Sequence, residues 1–231
     1  RAAGTPTTVA TYATALETAD TGFSEANPNY IDAPFLSNHD VGRIAGFVNR
    51  DENKIKLAGA MNILMSGSCF IYYGEEIGMP GEGNDPSKRA PMYWNAERDD
   101  GTTKAPPGCV IPSTGYPMGS LEEQKLNANS VYNYYRQVIA IRNALPAISH
   151  GLNSAEAGLN KGCVSAIHKT WNDQECIILM NINTAAAQVD LSAYGDWSLA
   201  ATLSADGNEI VLSETALELP AFGVAILIPN A

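Results

Sequence analysis

Ala33-Pro34-Phe35-Leu36-Ser37-Asn38-His39-Asp40, with Arg43 just beyond, is the stretch from which the rest of the chain can be placed. An apolar run stops abruptly in an amide, an imidazole and a carboxylate. A buried parallel strand whose C-terminal end opens into a reactive cleft reads this way. Consecutive residues on a strand alternate faces, so Asn38, His39 and Asp40 reach one cleft only if the strand ends there and the backbone turns. Taken alone, the tripeptide reads more readily as a chance occurrence or as a capped turn at the start of a helix.

The neighbouring segments favour the cleft. Asn53 is a candidate N-cap, and Lys54 to Met65 follows as a helix that is apolar almost all round from Leu57, so it should be buried on more than one side. Ser66-Gly67-Ser68 stops it. Cys69 to Tyr73 is a short continuous apolar run, a second buried strand. It also ends in acid groups, Gly74-Glu75-Glu76. Strand, helix and strand at this spacing form a βαβ unit that releases polar side chains at the same end of both strands. Upstream, Thr7 to Ala19 reads as a weak helix broken by Asn27-Pro28-Asn29, and Ile31 to Ser37 is the strand that carries the quoted stretch.

Residues 77–119 are rich in Gly and Pro and have the length of a binding loop or lid. Within them Asp85 and Arg89 are four apart and can pair. As a surface ion pair that contact contributes less than about 1 kcal/mol. Leu126 to Leu145 is an amphipathic helix closed by Pro146. From Gly151 onward the pattern changes to short alternating segments: Cys163 to His168, Glu175 to Asn181, Gln188 to Leu191, Leu199 to Leu203, Ile210 to Leu212 and Val224 to Ile228. This is the pattern of an antiparallel sandwich. The predicted organisation is therefore an α/β domain over 1–150 and an all-β domain over 151–231. His150 and His168 are each isolated and read as structural.

The chain has 231 residues, 45% hydrophobic and 17% charged, and so folds as a globular protein. A formal net charge of −11 argues against nucleic acid and anionic membranes as partners. No run approaches the ~18 apolar residues that span a bilayer. Cys69, Cys109, Cys163 and Cys176 match no zinc template. A turn at Asn172-Asp173 sets Trp171 opposite Gln174, Lys169 opposite Cys176 and Cys163 opposite Ile182. Cys163 and Cys176 then lie roughly 20 Å apart along the ladder, far beyond the ~7 Å between Cα atoms that a disulfide allows. Both are predicted to be free and at least partly buried.

With these pieces in order, the sequence resembles the C-terminal portion of the α-amylase family of glycoside hydrolases. Phe35 to Asp40 resembles the family's fourth signature segment at the end of its seventh barrel strand. Phe70-Ile71-Tyr72-Tyr73-Gly74-Glu75-Glu76-Ile77-Gly78-Met79 resembles the eighth strand and the loop after it. Arg89-Ala90-Pro91-Met92-Tyr93-Trp94 is similar to a stretch of bacterial members active on maltooligosaccharides. Tyr134-Tyr135-Arg136 through Arg142 is similar to the eighth helix, and Leu219 to Val224 to the closing strand of the sandwich. The implied fold is the last part of a (β/α)₈ barrel followed by a β-sandwich.

The resemblance implies retaining hydrolysis of α-1,4-glucosidic bonds in starch or maltooligosaccharides. One carboxylate attacks the anomeric carbon and another protonates the leaving oxygen, the two about 5–5.5 Å apart. Asp40 corresponds to the third carboxylate, which stabilises the transition state. His39 and Asn38 would bind the reacting sugar, and Asp85 with Arg89 a sugar further along. Glu75 and Glu76 would brace loops by pairing with Arg43 or others.

The family's nucleophile and proton donor lie ahead of the fourth segment. The residues ahead of it here contain Glu17, Asp20, Glu25 and Asp32, none in a matching context. The chain is thus expected to be inactive by itself, with an open barrel edge, and to work with the N-terminal remainder of the same enzyme. No cofactor or metal is expected in these residues, and Ca²⁺ only in the complete enzyme. Starch degradation implies an extracellular or cell-surface location. The alternatives are a non-catalytic carbohydrate-binding or structural fragment, and a member that acts on α-1,6 bonds or transfers glycosyl groups.

Overall fold

The computed structural model describes residues 10–81, 83–99, 101–111 and 116–230. In chain order the helices are α1 (Ala10–Ala26), α2 (Ile44–Phe47), α3 (Glu52–Ile63), α4 (Asp85–Lys88), α5 (Leu121–Leu126), α6 (Val131–Ala144) and α7 (Pro146–His150). The strands are β1 (Leu152–Ala155), β2 (Val164–Trp171), β3 (Gln174–Asn181), β4 (Ala187–Asp190), β5 (Trp197–Leu203), β6 (Val211–Ser213), β7 (Ala216–Leu219) and β8 (Val224–Pro229). They group into two compact units. Among the described residues, one comprises Pro34–Ile63 and Cys69–Ile139, and the other those up to Ala33, Leu64–Ser68 and those from Ala140 onward.

The first unit holds the quoted stretch. Helix α3 buries Ile55, Lys56, Leu57, Gly59, Ala60, Asn62 and Ile63, positions that run right round its axis. Its first turn is capped by Asp51, whose Oδ1 accepts from the backbone N–H groups of Asn53 and Lys54. The cap is therefore two residues before the predicted Asn53, because an aspartate just ahead of the helix reaches two free N–H groups at once. Gly59 lets the ring of Tyr135 on α6 approach so closely that a Cβ there would lie 2.4 Å from ring carbons.

The two predicted strands are not buried here. They meet in a single parallel bridge, Phe35 to Phe70, with Phe70 N–H donating to the Pro34 carbonyl at 2.8 Å. The side chains of Phe35 and Phe70 are 49% and 60% exposed. A two-strand piece of a parallel sheet has one hydrogen-bonded neighbour per strand, and its faces and outer edges lack cover.

The helix predicted from Leu126 begins five residues later, as α6, and Leu126 instead ends the separate helix α5. Ser120 and Glu123 form a reciprocal capping box at the start of α5. Asn127 ends that helix, and the Ser130 hydroxyl accepts from Asn133 N–H at the start of α6. Asn and Ser offer the backbone side-chain partners that a continuous helix cannot use, so the chain stops and restarts. The described residues of 77–119 contribute a cluster of buried side chains. Ile77, Met79, Ala90, Tyr93 and Tyr116 form a small buried core of their own.

The second unit contains the sandwich. Its five-stranded sheet runs β1-β2-β3-β8-β5 and its three-stranded sheet β4-β7-β6, every pairing antiparallel. Val164, Ile177, Leu179 and Leu227 from one sheet pack with Val189, Leu217 and Leu219 from the other. The β2–β3 hairpin has the predicted register, Trp171 opposite Gln174 and Lys169 opposite Cys176. Cys163 and Cys176 are free thiols, the first half-buried and the second buried. Strands β1 and β7 were not among the predicted segments. Helix α1 runs seven residues beyond the predicted end, and the predicted residues Thr7 to Val9 lie outside those described. Asp20 on α1 is buried and accepts from both the backbone and side-chain N–H of Asn153 on β1.

Candidate active site

The strand-like segment ends at Ser37, and the backbone turns at once. The Asn38 side-chain carbonyl accepts from the N–H groups of Asp40 and Val41, at 2.8 and 2.7 Å. This Asx turn swings the next two side chains out of the strand direction. His39 and Asp40 are left 61% and 70% exposed, with His39 Nε2 3.3 Å from Asp40 Oδ2. Asn38 thus acts first on its own backbone. Its oxygen shapes the turn, and only its amide N–H groups remain for anything outside.

Helix α4 supplies the opposite wall. Arg89, which ends it, pairs with Asp85 through Nη1 and approaches Asp40 Oδ1 with Nη2 at 3.7 Å. Lys88 donates to the Asp40 backbone carbonyl at 2.7 Å and stands 3.8 Å from Asp85. The structure therefore gathers His39, Asp40, Asp85 and Arg89 into one charged cluster. Lys88 belongs to it and was not singled out in the sequence. Its spacing of three from Asp85, on the same helix face, was the available signal. Helix α4 is itself tied down, because Ser87 Oγ accepts from Val110 N–H and Asn84 Nδ2 donates to the Gly108 carbonyl.

Behind this open cluster lies a buried one. Arg43 is 1% exposed, donates to the Tyr73 carbonyl and has its guanidinium over the rings of Tyr72 and Tyr73, 4.7 Å from each centroid. Glu75 is 2% exposed. Burial pushes its carboxyl up to about 7, against the Ser37 and Tyr135 hydroxyls, which hold it down. Glu76 is also pushed up by burial. Arg43 lowers both through its charge, but the side chain that reaches Glu75 is Tyr135, whose hydroxyl lies 3.4 Å from Oε1. The loop-bracing role predicted for Glu75 thus has another partner than Arg43.

The isolated histidines have structural partners. His150 stacks on Trp171 with centroids 4.6 Å apart, and His168 lies between Glu175 at 2.9 Å and Glu156 at 3.4 Å. Among the described residues no group of three or more His, Cys, Asp or Glu is placed to hold a metal ion. No helix among them is long and apolar enough to cross a membrane.

An exposed imidazole, carboxylate and guanidinium side by side suit a ligand that is both donor and acceptor, such as a polyol. The family model for the alpha amylase catalytic domain matches residues 3–151. The chain belongs to the alpha-amylase family. Among curated members of this glycoside hydrolase family, Alpha-amylase 3 of Dictyoglomus thermophilum is 37% identical over 163 residues, covering 70% of this chain and 32% of that protein. The trehalose synthase/amylase TreS of Mycobacterium tuberculosis is 30% identical over 146 residues, 59% of this chain and 24% of that protein. Among solved structures, Eubacterium rectale Amy13B superposes with a TM-score of 0.88 at 35% identity, over 96% of this chain and 44% of that one. The chain thus spans a third or less of these alpha-amylase relatives and under half of that solved structure. The likeness bears out the architecture, the last part of a (β/α)₈ barrel followed by a β-sandwich.

Proposed function

We propose that these residues are the C-terminal part of a retaining α-glucan hydrolase that cleaves α-1,4 bonds of starch or maltooligosaccharides. The observation that carries the reading is the Asx turn that leaves His39 and Asp40 open beside Arg89. Asp40 is the transition-state stabiliser. Its carboxylate accepts hydrogen bonds from hydroxyls of the reacting glucose, and these strengthen as the ring approaches the oxocarbenium ion. His39 and the Asn38 amide donate to the same sugar, and Asp85 with Arg89 holds a sugar further along. The carboxylate that attacks the anomeric carbon and the acid that protonates the leaving oxygen come from barrel segments outside these residues. So does any calcium site. A polymeric substrate sets the enzyme at work outside the cell or on its surface.

The test is Asp40→Asn in the full-length enzyme. The exchange removes the charge and keeps the size, so kcat on a maltooligosaccharide should fall at least about a hundredfold with the melting temperature unchanged. Turnover near that of the unaltered enzyme would refute the assignment. Residues 1–231 by themselves should release no sugar from the same substrate. The similarity to a trehalose synthase/amylase favours one second reading, transfer to a sugar acceptor in place of water. Separating glucose and shorter oligosaccharides from transfer products in one digest decides between them.

A further inference from the structure

Arg43 is a buried cation that the proposed function does not use, and its contacts reach both walls of the open cluster. One wall is the turn. Asn38 shapes its start, and the Ser37 hydroxyl oxygen accepts from Ile44 N–H at 2.9 Å. The segment 38–43, which carries His39 and Asp40, is thus a closed loop that ends at Arg43. The other wall is α4 with Arg89, and Arg43 touches the chain on either side of it. Upstream, its backbone N–H donates to the Gly81 carbonyl at 3.4 Å, and a Cβ at Gly81 would stand 2.7 Å from Arg43 Cδ. Downstream, its guanidinium grips Tyr73, donating to the carbonyl through Nη1 and lying over the ring. The Tyr73 hydroxyl in turn donates at 2.8 Å to the carbonyl of Ala90, the residue after Arg89.

We propose that Arg43 is a positioning residue: it ends the loop that presents His39 and Asp40 and grips both flanks of α4, at Gly81 directly and at Ala90 through Tyr73, and so sets the distance between Asp40 and Arg89. Tyr73 is held at both ends, its carbonyl by Arg43 and its hydroxyl by Ala90, and works as a strut of fixed length. The geometry calls for an arginine. Its planar guanidinium lies over the Tyr72 and Tyr73 rings while its edge donates to a carbonyl, and a lysine ammonium has neither the plane nor the fork. Nε and Nη2 are buried without a hydrogen-bond acceptor among the described residues, so the charge depends on those rings for contact. The spacing matters because Asp40 holds the reacting glucose and Arg89 a sugar further along. Both rings of one substrate are seated together only if the two walls keep their separation.

The inference rests on the reading that Arg89 holds a second sugar, and the experiment separates the two. In the full-length enzyme, Arg43→Lys should lower kcat/KM on a maltooligosaccharide about tenfold to a hundredfold, the cost of a small misplacement. Tyr73→Phe removes only the hydroxyl of the strut, from an exposed side chain. It should cost about threefold to tenfold, the worth of one hydrogen bond, with the melting temperature little changed. The decisive comparison is with Arg89→Ala. In that background neither Arg43→Lys nor Tyr73→Phe should lower kcat/KM further, since the group they position is gone. Should Arg43→Lys fail to fold, Tyr73→Phe carries the same comparison. A purely structural Arg43 would lower the melting temperature and give losses that add to that of Arg89→Ala. Such additive losses, or a folded Arg43→Lys enzyme with normal kcat/KM, would overturn the proposal. If the unaltered enzyme turns over no α-glucan, or Arg89→Ala is as active as its parent, the functional reading of Arg89 fails and the spacing is read from a crystal structure of the Tyr73→Phe enzyme. Arg89 Nη2 should then have moved by about 1 Å or more from its 3.7 Å approach to Asp40. An unchanged approach would sink the strut as well.

Discussion

Lys169 lies on β2 with none of its side chain exposed, and its ammonium donates to Ser66 Oγ at 2.8 Å and to the Ile148 carbonyl at 3.0 Å. Both acceptors are neutral. Burial pulls the amine from its ordinary 10.5 down to about 7, with Arg142 adding to the fall and Cys176 and Asp20 opposing it. Between those values the unfolded chain binds a proton that the folded chain does not. Stability is therefore reduced below pH 7 and recovers as the pH rises toward 10.5. Cys176, facing Lys169 across the ladder, works in the opposite sense. Burial raises its thiol from 9 to about 11, so the unfolded chain loses that proton first and stability falls above pH 9. The clean window is pH 7 to 9, where unfolding free energy from urea titration should rise by on the order of 1–3 kcal/mol. Lys169→Met should flatten that rise. An unchanged slope would show that the amine is charged in the folded state. The sequence set Lys169 opposite Cys176, but it could not show the burial, because a lysine in an alternating strand reads as a solvent-facing position. His39 and Asp40 were legible for the converse reason: polar groups that end an apolar run have few places to go except a turn.

Elements were legible where one local pattern settled them and less so where a distant partner did. The β2–β3 hairpin was fixed by its own turn, and its register followed residue by residue. Strand β7 was overlooked, although Leu217 and Leu219 are fully buried and alternate with exposed neighbours. Four residues of alternation carry little weight until β4 and β6 are found on either side. What joins the two sheets was also invisible. Asn181 ends β3 fully buried, and its amide nitrogen donates to the carbonyls of Ala185, Leu219 and Pro220 at 2.8, 3.1 and 2.9 Å. Its oxygen accepts from Asn183 N–H at 3.0 Å. One side chain thus serves the end of β7 in the three-stranded sheet and the turn after β3. Asn181→Leu would leave those buried carbonyls without a donor, at a cost of about 1–3 kcal/mol for each that water cannot reach. The unfolding midpoint in urea should fall accordingly. A variant as stable as the parent would show that the turn reorganises and that the amide is dispensable.

At the scale of the whole molecule, the barrel portion differs from a finished domain in what it leaves uncovered. Phe35 and Phe70 face each other across their single bridge while 49% and 60% exposed, and Ile71 and Tyr73 on the second segment are 37% and 40% exposed. Side chains of this size are normally buried, each contributing about 1.5–3 kcal/mol when removed from water. Adjacent backbone groups on the outer edges also lack strand partners, which makes the edge a template for pairing with another chain. In the proposed full-length enzyme the preceding barrel strands cover this surface. Two measurements follow on residues 1–231 produced by themselves. The chain should bind an apolar dye and self-associate at micromolar concentration, and Phe35→Ser with Phe70→Ser should weaken both effects, because the association runs through the edge rather than through the sandwich. Adding the separately produced N-terminal part of the same enzyme should suppress dye binding in the parent chain and restore hydrolysis of maltooligosaccharide in proportion to complex formed. A monomeric chain with no dye response would mean that the two segments close on themselves, and the case for a barrel completed from outside would fail with it.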